Sequence, residues 1–161
     1  MPEVATTNYP IRDQILIQEA QVCRSITRAN GYQVDVLAVY EHHESTVSGI
    51  KEWPALRVVD QGDHFIRRHG GMYEAQISVA IWCYFREYDR ENAKHLLRQL
   101  GADCQKALQA DEFVTGLAFW TQWQNITTRI NDASQPDQLA IVAGEIGYRT
   151  KLENPYISWY F

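Results

Sequence analysis

Several things are scarce in this chain of 161 residues, and each scarcity excludes something. No segment approaches the roughly 20 apolar residues that a bilayer span requires. The first residues, MPEVATTNYP, have neither a basic start nor an apolar run, so a soluble, unexported protein without membrane partners is expected. Cysteine is limited to Cys23, Cys83 and Cys104, an odd and widely spaced set that supports no disulfide or zinc framework; buried reduced thiols are expected instead. Nine Gly and five Pro exclude a collagenous or low-complexity chain. Positive charge is also short, with 15 Lys and Arg against 20 Asp and Glu. A net charge of -5 argues against a protein built to grip nucleic acid, whose affinity comes from cations neutralising phosphates.

Catalytic signatures are missing as well. The chain has no G-x-S-x-G, no G-x-x-x-x-G-K-[ST], no G-x-G-x-x-G and no H-E-x-x-H. His42-His43-Glu44 is the densest polar cluster, but neighbours on extended chain point to opposite sides, leaving only His42 and Glu44 able to converge. Two ligands do not make a metal site. No catalytic residue, metal or cofactor is therefore expected.

What is present is periodicity. Ile11, Ile15, Val22, Ile26 and Ala29 recur at helical spacing, with Arg12, Glu19 and Arg28 between them, which predicts a helix over 11–30 stopped by Asn30-Gly31. From Gln33 to Tyr40 the period becomes two and both faces are apolar, the pattern of a central strand. Pro54 opens a strand over Ala55–Val59, and residues 60–71 read as a Gly-punctuated loop or hairpin tip. Ile77, Val79, Ile81, Cys83 and Phe85 then alternate with more polar neighbours. Asp89 is placed to cap a second helix with Ala93, Leu97, Leu100, Cys104, Ala107 and Leu108 on one stripe. Residues 111–120 are ambiguous. Two further strands follow, Trp123–Ile130 and Leu139–Arg149, with a turn at Pro136. The sum is a single α+β domain over 1–161: a mostly antiparallel sheet of about five strands packed against two amphipathic helices. Residues 1–10 form an N-terminal arm and 151–161 an aromatic tail.

Two features are unspent. The tail NPYISWYF ends in Tyr156, Ile157, Trp159, Tyr160 and Phe161, aromatic surface that must dock on its own sheet or on a neighbour. The segment His64–His69 sets Phe65 and Ile66 among Arg67, Arg68 and two histidines, which suits either a solvated hairpin or a mobile arm contacting a partner.

Ala29-Asn30-Gly31-Tyr32, the run Val34–Tyr40 and Trp53-Pro54-Ala55-Leu56-Arg57-Val58 resemble the tail terminator (tail completion) proteins of tailed bacteriophages. The likeness extends through Tyr73–Tyr84, the helix from Arg90 with Leu100, Asp103 and Leu108, the strand Ile126-Thr127-Thr128-Arg129-Ile130 and Gly147-Tyr148-Arg149, covering roughly residues 11–150.

The resemblance implies a non-enzymatic virion protein at the tail-neck junction. Such a subunit assembles in the host cytoplasm as a homo-oligomer, a hexameric ring, at the head-proximal end of the tail tube. Its partners would be the tail tube protein, a neck or connector protein and, in a contractile tail, sheath protein, with DNA passing through the lumen unbound. Phe65, Ile66, Arg67 and Arg68 are nominated as one contact, and Tyr156, Trp159, Tyr160 and Phe161 as another. The competing expectations are another neck or head-tail joining protein, and a small cytoplasmic enzyme or ligand-binding domain, which would show a deep polar pocket with perturbed ionisable groups.

Overall fold

The computed structural model describes residues 9–43, 49–129 and 137–158. Its elements are α1 (Ile11–Arg24), β1 (Ala38–Tyr40), β2 (Ala55–His69), β3 (Met72–Arg86), α2 (Arg90–Gln109), β4 (Ala118–Arg129), β5 (Asp137–Lys151) and β6 (Asn154–Ser158). Single 3-10 turns at Arg28–Asn30 and Val114–Gly116 complete them. The strands form one sheet in the order β1-β2-β3-β5-β4, with β6 paired to β5. Every pairing is antiparallel except β1 with β2. The architecture is α+β, as the pattern of elements predicts.

The centre of the sheet is β3 against β5, in unbroken register from Met72↔Lys151 to Arg86↔Asp137. Their alternation explains the core. Ile77, Val79, Ile81 and Cys83 share one face with Ala140, Val142, Ile146 and Tyr148, and all are buried with Leu16, Leu97, Leu100 and Leu108 of the two helices. α2 matches its predicted stripe, each of the six expected residues being buried, and the Asp89 carboxylate accepts the Glu91 N–H as cap. Cys23, Cys83 and Cys104 are free and buried, one each from α1, β3 and α2. Hydrogen bonding with Cys23 and Cys83, together with burial, pushes the Cys104 thiol well above its ordinary range and keeps it protonated.

Three expectations need correction. The first helix ends at Arg24, not Asn30. Ser25 Oγ donates to the Val22 carbonyl at 2.6 Å, competing with the helical ladder, while Asn30-Gly31 stops only the separate 3-10 turn, with Gly31 at φ 88°. Glu19, read as polar between apolar positions, is buried to 1% exposure, because it stacks one turn from Ile15 and one from Cys23. The run 33–40 is not a central strand; only Ala38–Tyr40 pairs, at the outer side of β2. Of its apolar residues only Val34 is buried in the core, with Val36 and Val39 packed partly against it and Leu37 exposed, and its backbone is satisfied elsewhere. The Asp103 carboxylate accepts the N–H groups of Gln33 and Val34 at 2.7 and 3.0 Å, and the Leu37 N–H donates to the Pro54 carbonyl at 2.9 Å.

Candidate interaction surface

The segment read as a loop or hairpin tip over 60–71 is the far end of a hairpin, strand to His69 rather than loop. β2 runs to His69, a Gly70-Gly71 turn reverses the chain, and His69↔Met72 opens β3. Both glycines have positive φ (53° and 81°), the requirement of the two-residue hairpin turn whose twist suits the flanking strands. Because β1 covers only Ala55–Arg57, no described strand pairs with the outer edge of β2 beyond it.

α1 holds this hairpin at its base. Arg12 Nη2 donates to Asp60 Oδ2 and Asp63 Oδ1 at 2.7 Å each, and Nε lies 2.9 Å from both Asp63 oxygens. Tyr148 Oη donates to Asp63 at 3.1 Å. Burial alone would raise the Asp60 carboxyl, but the hydrogen bonds from Arg12 and the Gly62 N–H, with the Arg12 charge, hold it below the usual aspartate range. Arg12 itself, despite burial, is held more firmly protonated by the two carboxylates.

Toward the tip, Phe65 packs on Tyr73 with ring centroids 5.6 Å apart, yet stays 51% exposed, and Ile66 is exposed beside it. Arg67 is already engaged: it lies 3.2 Å from the buried Glu74 carboxylate, which also accepts from Arg149 at 2.8 Å. Arg149 in turn stacks on Phe119, 3.9 Å from its ring centroid. Arg68 is exposed and forms no ion pair among the described residues.

The sheet register brings the two nominated surfaces to one end of the molecule. Arg68 pairs with Tyr73, Tyr73 with Thr150, and Thr150 with Ser158, so β6 ends in the same row as the hairpin tip. The Leu152 N–H donates to the Gly71 carbonyl at 2.6 Å, tying the β5–β6 turn to the β2–β3 turn. Of the nine large hydrophobic residues exposed among those described, Phe65, Ile66, Leu152, Tyr156 and Ile157 lie here. The sequence pattern singles out Phe65, Ile66, Tyr156 and Ile157 through their composition, but not Leu152 or the existence of β6. Trp159, Tyr160 and Phe161 lie outside the described residues.

His42 Nε2 is 3.6 Å from Asp13 and His43 Nδ1 is 3.4 Å from Glu41, while Glu44 lies outside the described residues. Burial, outweighing the Asp13 charge, lowers the His42 pKa. No group of three His, Cys, Asp or Glu side chains among the described residues is disposed to hold a metal. No family model matches the chain, and no curated protein matches it.

Proposed function

We propose that this chain is a structural subunit of a bacteriophage tail that closes into a ring, a hexamer, at the head-proximal end of the tail tube, stops tube growth and joins the tail to the neck. The observation that carries this reading is the collection of exposed apolar side chains from two separate segments, the β2–β3 hairpin and β6, at one end of a well-packed sheet. Single surface apolar residues need no explanation, but several gathered at one end of a fold are a candidate association site. A head-to-tail contact between copies closes into a ring when each interface rotates the next copy by the right angle, and a closed ring terminates a polymer. The acidic balance suits a conduit, since a lumen that must release DNA cannot hold phosphates tightly.

Native mass measurement and negative-stain imaging of the purified protein, with and without tail tube protein, test the proposal. Discrete rings, or tubes capped at one end, are expected. A monomer indifferent to tube protein refutes it, and long cylinders formed by the chain alone would make it a tube protein instead.

A further inference from the structure

The turn between α2 and β4 is bent against its own backbone. Val114 and Thr115 stand at φ 46° and 54°, in the left-handed region that glycine tolerates and a β-branched side chain resists, and Gly116 follows at 87°. Two things hold it there. Val114 is buried to 2% exposure in the core, and α1 packs on the turn. The Asp111 carboxylate accepts the Phe113 N–H at Oδ1 and the Thr115 N–H at Oδ2, 3.2 and 2.5 Å away.

The same carboxylate faces Glu19 of α1. Glu19 is buried, its Oε1 meets no donor among the described residues, Asp111 is the charge that acts on it, and no cation among the described residues offsets the two. Protonated, Glu19 is a neutral neighbour of the clamp. Ionised, it sets a second negative charge against Asp111 in a place that water does not reach. The turn is the part that yields at least cost: it is short and strained, and Glu112, Phe113, Thr115 and Gly116 are exposed, whereas α1 and α2 are anchored along their buried faces.

We propose that Glu19 and Asp111 form a pH-operated latch on this turn, closed while Glu19 keeps its proton and released when Glu19 ionises and repels Asp111 from the Phe113 and Thr115 N–H groups. Burial and the Asp111 charge raise the Glu19 pKa from 4.5 to about 8, so the closed turn prevails below that pH and the open turn above it. Release moves Phe113, which is 54% exposed and whose carbonyl accepts the Ala118 N–H at 3.0 Å where β4 begins. β3 occupies one edge of β5 as far as Lys151, so β6 lies on the other, in line with β4, whose first pair is Ala118↔Tyr148. Phe113 therefore belongs to the end of the sheet that carries Tyr156 and Ile157, and the latch changes what that surface presents.

Amide hydrogen exchange of the full chain by NMR at pH 6, 7 and 8, corrected for the intrinsic rate, tests it. An opening linked to the loss of one proton changes tenfold per pH unit, so the Phe113 and Thr115 amides should be protected about 100-fold at pH 6, about tenfold at pH 7 and barely at pH 8. Val79 and Ile81 of the central ladder should stay far more protected throughout. Glu19→Gln should abolish the trend and keep both turn amides protected at pH 8. Thr115→Gly, which removes left-handed strain, should raise their protection several-fold at each pH and leave its slope unchanged. Turn amides whose protection does not vary with pH, turn amides as protected as Val79 and Ile81, or a Glu19→Gln protein that keeps the wild-type trend would each overturn the inference.

Discussion

Glu19 offers the sharpest test of the core. Its side chain is buried, Oε1 has no hydrogen-bond partner among the described residues, and burial, reinforced by the charge of Asp111, raises its pKa from 4.5 to about 8. The unfolded chain ionises near 4.5, while the folded protein holds the proton until about pH 8, so the unfolded state binds fewer protons between those values. Stability is therefore fully present below 4.5, falls as pH rises and levels off above about 8. The slope in that window is about 1.4 kcal/mol per pH unit, which makes the loss about 3 kcal/mol by neutral pH and about 5 kcal/mol at the plateau.

Glu19→Gln removes the titration while keeping size and polarity. Urea unfolding of both proteins at pH 5, 6, 7 and 8, at one fixed protein concentration so that the proposed assembly adds the same contribution to each, should show the variant gaining on the wild type at every step. Asp111→Asn should keep that slope but end the loss at a lower pH, since it removes the lesser cause of the raised pKa. Glu19→Met should exceed Glu19→Gln by roughly 1–3 kcal/mol at all pH values, since it also removes the unpaired buried dipole. A wild-type-minus-Gln difference that stays constant across this range would refute the reasoning and mean that the folded protein hydrates or pairs this carboxylate.

Two further perturbations follow from the sheet. Trp123 lies over Gly144, where an added Cβ would stand 2.7 Å from the indole Cδ2 and 2.9 Å from the Gln122 carbonyl oxygen. Gly144→Ala should therefore cost about 1–3 kcal/mol in chemical denaturation. Arg12→Ala removes the fork that holds Asp60 and Asp63, for a loss of about 1 kcal/mol at neutral pH in this half-exposed setting. Because the Asp60 carboxyl is held below its ordinary 3.8, its share of that loss is present above 3.8 and disappears as pH falls further, which unfolding curves at pH 7 and pH 3 would compare.

The long, regular elements were legible in the sequence because one physical signal dominates each. α2 has a cap and an uninterrupted stripe, and β3 and β5 alternate over more than ten residues with one face in the core. The errors came where tertiary contacts replace local ones. Residues 33–37 look like a ladder strand because Val34 and Val36 are apolar, but Asp103, 69 residues beyond Val34, takes the Val34 N–H. Glu19 looks like solvent-facing charge until α1 is wrapped and its turn falls between Ile15 and Cys23. Of the candidate surface, the composition of Phe65–Arg68 and of the tail is local and readable. Their meeting at one end depends on the β3–β5–β6 register, and Leu152 enters it only through the Gly71 contact.

The sheet also has an uneven regularity. The fifteen pairs of β3 with β5 run without a slip, whereas β2 slips between Asp60 and Asp63 and again between Phe65 and Arg67, and β4 slips between Ala118 and Trp120 and between Trp123 and Asn125. β2 beyond its short pairing with β1, and β4 along its outer side, leave backbone donors and acceptors unclaimed by any described strand, which is the template from which endless strand addition grows. Bulges bend and twist such a border so that an incoming strand cannot stay in step for more than a few residues. Such borders work against copies of this chain stitching their sheets into a fibre, which is what the proposed closed ring requires of its subunits.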